Sequence, residues 1–401
     1  MTSRFRSDLS PHVPLPREGH AALAEFALAP GFIHLNHGSY GAVPRRVLAE
    51  QERQRIAIER DPTSFFQFVY PAEIRRAADV AADAFGGAGA DWVFCENATA
   101  AINAVLAAFP LEAGDEIVTT SHGYGAVIKA MQLWASRKQA ILKIADIPPA
   151  PESDSQILEC VARAFTARTR LLVIDHITSP TAIVLPVHEI VRAAHAAGVA
   201  VLVDGAHAPG QIELDAPSIG ADWYTGNAHK WFFAPRGCGV LWTAPEWQDL
   251  TRPAVLSHGT DRGYTDAFDW IGTRDASPWL CLAAAAEAFR AFGGQSLMRR
   301  NSELAAEASQ ILTDALGGTI AAPVSNRPAM VSVSLLGVLG TGEQALRLRQ
   351  DLRAAGVIAP VSAFGGQLWL RVSAQIYNQK SDYERCAEAV LRCASMAGRK
   401  Q

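Results

Sequence analysis

The stretch LVDGAHAPG (202–210), followed by ADWYTGNAHKWF (221–232), decides the fold class of this 401-residue chain. Asp204 ends an apolar run of the kind found in strands that are buried on both faces, and Lys230 follows the next strand-like run. In open α/β sheets, ligands bind beyond the carboxyl ends of the strands. A carboxylate buried there needs a cationic partner, because an isolated buried charge is costly. The pattern therefore predicts a ligand site between Asp204 and Lys230.

Outward from this stretch, β-rich runs alternate with segments at helical period. The run PVHEIVRAAHAAG (186–198) repeats apolar positions at intervals of three and four and ends in a glycine, which predicts a helix. The predicted strands are WVFC (92–95), DEIVTT (115–120), AILKIAD (140–146), RLLVIDHI (170–177), VAVLVDGA (199–206) and GVLWT (239–243). This alternation is typical of an α/β domain with a mostly parallel sheet and crossover helices.

Beyond about residue 275 the pattern changes to that of a smaller α+β unit. Helices are predicted at 281–292, 297–316, 342–354 and 383–397, and strands at MVSVSLL (330–336), VIAPVSAF (357–364) and QLWLRVS (367–373). The last two strands form a predicted hairpin with its turn at Gly365-Gly366. We therefore expect an N-terminal segment (1–20), a large α/β domain (21–275) and a small C-terminal α+β domain (276–401).

Composition excludes several classes of protein. Apolar residues make up 49% of the chain and charged residues 19%, which is typical of a soluble globular protein. A net charge of −4 argues against nucleic-acid binding, because neutralising phosphates needs a basic face. No apolar run reaches the length of a membrane span, and the N-terminus has no apolar signal region, so we expect a cytoplasmic protein.

Motifs for other cofactors are missing from the sequence. No G-x-G-x-x-G follows a strand and no Walker A sequence is present, so neither NAD nor ATP is predicted. The six cysteines include no C-x-x-C pair and are expected to be reduced core thiols. His34 and His37 are three residues apart, but two loop histidines are the simpler interpretation, and we predict no metal site.

Pyridoxal phosphate fits the acid and the lysine together. Its pyridinium nitrogen is a cationic partner for Asp204, and its aldehyde forms a Schiff base with an amine such as that of Lys230. Taken singly, Asp204 could cap the turn before Gly205, and Lys230 could be a solvated surface lysine. Their occurrence at successive strand ends, with His207 and His229 close by in sequence, favours the cofactor.

Four segments carry a resemblance to a known family: LNHGSYGAVP (35–44), NATAAIN (97–103), DGAHAPG (204–210) and HKW (229–231). With them the sequence resembles, over almost its whole length, the class V aminotransferases among the fold-type I pyridoxal-phosphate enzymes. Within that family it is most similar to isopenicillin N epimerase-like proteins and their carbon–sulfur lyase relatives, such as hercynylcysteine sulfoxide lyases. The resemblance implies the fold-type I architecture and a homodimer with shared active sites.

The resemblance also implies roles for individual residues at the cofactor. Lys230 forms the internal aldimine, Asp204 pairs with the ring nitrogen, and His207 lies beside the ring and its phenolic oxygen. Tyr124 stacks on the ring, with His122 as the competing choice and core packing of Tyr124 as the simpler alternative. The phosphate rests at the start of the helix after WVFC, where a helix N-terminus attracts anions, and the implied contacts are Ala98, Thr99, Asn227 and His229.

Further implied residues surround the substrate. Arg371 binds the α-carboxylate, although a structural ion pair is an alternative for it, and Asn36 and His37 border the same pocket. Ser179 contacts the phenolic oxygen, and Thr273 reaches a phosphate across the dimer interface.

The expected reaction begins when an amino acid displaces Lys230 to form an external aldimine, from which Lys230 removes the Cα proton to give a carbanion. Epimerisation is the preferred outcome, carbon–sulfur elimination the second and transamination the third. An epimerase needs a second base, for which His37, His122 and Tyr124 are candidates. A cysteine desulfurase is not expected, because residues 355–370 contain no cysteine. The non-enzymatic alternative is a catalytically silent ligand sensor.

Overall fold

A seven-stranded sheet lies at the centre of the structure, a computed structural model that describes residues 18–321 and 328–398. The strand order is β2-β8-β7-β6-β5-β3-β4, and every neighbouring pair is parallel except those that involve β8. The strands are β2 (Trp92–Cys95), β3 (Glu116–Thr120), β4 (Ile141–Ala145), β5 (Thr169–Asp175), β6 (Ala200–Gly205), β7 (Trp223–Asn227) and β8 (Gly239–Thr243). The prediction of a mostly parallel sheet in an α/β fold is confirmed.

Both faces of this sheet are covered, which explains the continuous apolar runs in the sequence. Leu171 and Val173 pack on the face that carries helices α5 (Ala98–Ala108) and α6 (Gly125–Arg137). Leu172 and Ile174, which point the other way, pack with helices α4 (Tyr70–Phe85) and α8 (Val187–Ala196). Gly198 follows α8 at a φ of 71°, as its predicted position after the helix requires.

The C-terminal part contains a three-stranded antiparallel sheet in the order β11-β12-β9. Its strands are β9 (Met330–Leu339), β11 (Val361–Phe364) and β12 (Gln367–Ser373), and Gly365 and Gly366 form the predicted turn at positive φ. The predicted strand 357–364 is divided, because Pro360 has no N–H for a ladder. Its first half, β10 (Val357–Ile358), pairs with β1 (Ile33–His34) near the N-terminus.

The remaining helices surround the two sheets. They are α1 (His37–Tyr40), α2 (Arg45–Arg60), α3 (Pro62–Ser64), α7 (Asp154–Arg163), α9 (Tyr264–Asp269), α10 (Ser277–Leu280), α11 (Leu282–Ala291), α12 (Gln295–Leu316), α13 (Gly342–Ala354) and α14 (Lys380–Gly398). Within the described ranges, none of the helices has the length and apolarity needed to cross a bilayer. Residues 1–17 of the predicted N-terminal segment lie outside the described residues.

Candidate active site

Asp204, His207 and Lys230 come together at the carboxyl edge of the central sheet. Asp204 is the penultimate residue of β6, and Lys230 lies in the loop of residues 228–238 that joins β7 to β8. This connection contains no crossover helix, so β8 returns antiparallel and the loop stays at the sheet edge. The Nζ atom of Lys230 lies 3.1 Å from Nε2 of His207. Two residues predicted from separate segments therefore make direct contact.

The environment keeps about half of the Lys230 amine unprotonated at pH 7. Burial lowers the pKa of Lys230 to about 7, and the positive charge of Arg371 acts in the same direction, while the carboxylates of Asp204 and Asp175 oppose it. Burial also holds the pKa of His207 well below its usual value. The indole N–H of Trp231 points at Nδ1 of this neutral imidazole at 3.5 Å, so its proton is placed on Nε2, facing Lys230. A neutral buried amine is both a nucleophile and a base.

Two buried carboxyl groups lie side by side at this edge. Asp175 at the end of β5 is the register partner of Asp204, and one Asp204 oxygen accepts the Ala206 N–H at 3.0 Å. Burial raises the pKa of both acids, and the Asp204 charge raises that of Asp175 further. The sequence analysis missed Asp175, although it ends a strand in the same way as Asp204.

The start of α5 carries donor groups of the kind that bind anions. The side chain of Asn97 accepts the Ala100 N–H at 2.9 Å, and that of Asn227 accepts the Ala98 N–H at 2.9 Å. Thr99 lies between them, and its N–H and hydroxyl donate no hydrogen bond to any residue that the structure describes. His229 donates from Nδ1 to the Cys238 carbonyl at 3.2 Å, and burial lowers its pKa to about 4, which leaves Nε2 as an acceptor.

Arg371, on β12, is buried and held by two serines. One guanidinium nitrogen donates to the carbonyl and the hydroxyl of Ser179, the latter at 3.1 Å, and the other donates to the Ser39 hydroxyl at 2.9 Å. Asn36 accepts a longer bond at 3.5 Å. Burial lowers the pKa of Arg371 to about 10, so it stays charged at pH 7. Its Nε is buried with no partner among the described residues. Ser39 is a site residue that sequence reasoning missed.

The two histidines considered as second bases are engaged elsewhere. His37 is 3% exposed, donates from Nδ1 to the Tyr377 hydroxyl at 2.9 Å and accepts from the Gln375 amide at 3.1 Å. Burial lowers its pKa to about 3. His122 contacts the Thr181 hydroxyl through Nδ1 at 2.7 Å and the backbone carbonyls of 147 and 148 through Nε2. Burial lowers its pKa too.

Tyr124 and Thr273 occupy different surroundings. Tyr124 precedes α6, is 45% exposed, and lies close enough to Arg371 for its charge to act on the arginine. Thr273 instead borders a cavity of about 640 Å³ with Tyr70, Arg75 and Trp270. Lys230 is not among the residues that line this cavity.

The donor set fits pyridoxal phosphate. It offers a neutral lysine amine for the aldehyde, a buried carboxyl for the ring nitrogen, and the Thr99 N–H and hydroxyl for the phosphate. The unpartnered Nε of Arg371 is a further buried donor. No group of three or more metal-ligating side chains occurs in the two described ranges.

Comparison with known proteins gives the same cofactor. The chain is 32% identical over 399 residues to putative L-cysteine desulfhydrase 1 of Oryza sativa subsp. japonica, covering 90% of this chain and 83% of that protein. It is 30% identical to isopenicillin N epimerase of Streptomyces clavuligerus, covering 92% and 96%. The structure of a C-DES mutant with glycine covalently linked to its PLP cofactor superposes with a TM-score of 0.80 at 18% identity, covering 92% of this chain and 98% of that chain.

This last likeness supports the fold-type I architecture. The aminotransferase class-V family model matches residues 71–385. That match spans well over half of the chain, and the protein accordingly belongs to the class V aminotransferase family of pyridoxal-phosphate enzymes.

Proposed function

We propose that the protein is a carbon–sulfur lyase that removes the Cα proton of a sulfur-containing α-amino acid and releases the sulfur substituent from Cβ. The observation that carries this proposal is the distribution of bases. Lys230 is a buried amine with a pKa of about 7, whereas His37 and His122 have both ring nitrogens in hydrogen bonds. β-Elimination needs one base at Cα, so it suits a site where Lys230 is neutral in part and both candidate histidines are engaged.

The chain's own residues divide the work of binding and proton transfer. Pyridoxal phosphate, when bound, supplies an electron-accepting ring. Arg371 binds the α-carboxylate of the substrate in a fork that Ser39 and Ser179 hold in place. Lys230 takes the Cα proton as the Cβ–S bond breaks, and then returns a proton to the departing sulfur. Asp204 stabilises a proton on the ring nitrogen.

Epimerisation at Cα is the second candidate, and the sequence alone placed it first. It requires a proton donor on the face of the substrate opposite Lys230. The accessible phenol of Tyr124, close to Arg371, supports this alternative, as does the 30% identity to an isopenicillin N epimerase. Because His37 and His122 are engaged in other hydrogen bonds, two of the three candidate proton donors for epimerisation are lost. We therefore place elimination before epimerisation.

Incubation of the holoenzyme with L-cysteine and S-substituted cysteines in D₂O tests the proposal. We expect sulfide or thiol together with pyruvate and ammonia, and none of these products from Lys230→Ala. Recovery of deuterated, racemised substrate without pyruvate would instead support the epimerase. Lack of both exchange and products with every amino acid tested would favour a ligand sensor.

We also expect a homodimer and a reducing, cytoplasmic compartment. Thr273 lines a cavity that Lys230 does not line, as expected for a residue that contributes to the site of a second copy. All six cysteines are free, and four of them are buried, as is usual where thiols stay reduced. Light scattering on the purified holoenzyme tests the dimer, and a monomeric mass would contradict it.

A further inference from the structure

Asp175 and Asp204 form a pair of acids within the central sheet. They are register partners on the adjacent parallel strands β5 and β6, so their side chains leave the same face of strands about 4.8 Å apart. Both are nearly inaccessible to solvent, with exposures of 5% and 4%. Two like charges this close and this well buried cannot both be ionised at ordinary pH.

The surrounding groups supply too little positive charge for two anions. Lys230 and His207 face the pair from the neighbouring loops; His207 is neutral, and about half of the Lys230 amine is neutral at pH 7. Arg371 is charged, but it is held by the two serines and by its proposed role at the substrate. On the opposite face of the sheet, His176 and Tyr224 are bonded to each other at 2.8 Å. The positive charge around Asp175 and Asp204 is therefore enough for one negative charge on the pair.

We infer that Asp175 is a positioning residue, a neutral carboxylic acid that shares one proton with Asp204 and so leaves a single negative charge opposite the ring nitrogen. The inference rests on the proposed role of Asp204. It also explains why the pKa of Lys230 stays low, because the charges of both acids favour the protonated amine and ionised Asp175 would add to that effect. The neutral acid thus serves the ring nitrogen and the lysine together.

Infrared spectroscopy of the holoenzyme at pH 7 tests the protonation directly. A protonated carboxylic acid gives a carbonyl-stretch band, separate from carboxylate bands, that shifts in D₂O. We expect this band in the wild type and its loss in Asp175→Asn. Asp175→Glu retains an acid at the position and should keep the band. Asp222→Asn is the matched control, since Asp222 is also buried beside the same sheet but lies 3.0 Å from His195, and this change should leave the band intact.

The visible spectrum of the bound cofactor gives a second readout. Since Asp175→Asn replaces one neutral group by another, it should shift the pH midpoint of the cofactor spectrum by less than about 0.3 pH units. A shift of about one unit or more, an acid band missing from the wild type, or a band that survives in Asp175→Asn would overturn the inference. Because neither spectrum depends on sulfide release, a failed lyase assay with these spectra intact would remove only the proposed reaction.

Discussion

The rate at which the cofactor-free protein captures pyridoxal phosphate should report the protonation of Lys230. Only the neutral amine attacks an aldehyde. With a pKa of about 7, roughly half of the Lys230 amine is neutral at pH 7, whereas an ordinary lysine at 10.5 has roughly 3 neutral molecules in 10,000. The capture rate should therefore rise between pH 6 and 8 and level off above, and at pH 7 it should exceed that of a solvated lysine by about a thousandfold per site.

Stopped-flow absorbance at the Schiff-base band measures this rate across pH. N-acetyl-lysine methylamide in the same buffers corrects for titration of the aldehyde reagent itself, and Lys230→Ala should show no band. Arg371→Gln removes a charge that lowers the lysine pKa, so its midpoint should move to higher pH. A corrected rate that keeps climbing beyond pH 9, as for a solvated lysine, would refute the claim that burial controls this amine.

Three further changes test individual contacts. Ser39→Ala removes a charge-assisted hydrogen bond to Arg371. In steady-state kinetics it should raise KM for the amino acid about tenfold with little change in kcat. An unchanged KM would contradict the role of this contact. Gly41→Ala places a Cβ against a backbone carbonyl of the loop that carries Lys230, so it should lower the thermal midpoint and the cofactor content. The control Gly31→Ala adds only left-handed backbone strain of about 1 kcal/mol and should lower both less. Equal losses in the two variants would contradict this prediction. Tyr124→Phe should leave sulfide release within about twofold if the lyase proposal holds, and should abolish racemisation if the protein is an epimerase.

The central sheet and its ligand edge could be predicted from local sequence. Strands buried on both faces produce continuous apolar runs, and the polar residue that ends such a run lies at the sheet edge, which located Asp204 correctly. The same rule applied to RLLVIDHI (170–177) identifies Asp175, which ends β5, but it was applied only to Asp204. In such a sequence, only the position of the strand end distinguishes an acid at the ligand edge of the sheet from an acid that would be buried unfavourably inside it.

Interactions between distant segments could not be predicted in this way. His37 is bonded to Tyr377 and Gln375, which lie more than 330 residues further along the chain. Nothing in the local sequence pattern indicates that these two residues occupy both of its ring nitrogens. The contact of Ser39 with Arg371 spans a similar distance. A residue's availability as a base depends on such contacts, which is why sequence could propose three second bases and geometry leaves one.

The pairing of β1 with β10 has a consequence for biosynthesis. These strands are more than three hundred residues apart, and the α1 segment that supplies Ser39 follows β1 directly. A nascent chain emerging from the ribosome exposes Lys230 well before Arg371 and β10 exist. The contacts of β1 with β10 and of Ser39 with Arg371 thus form only after β10 and β12 have been synthesised, and truncation before β10 should separate cofactor capture from amino-acid recognition.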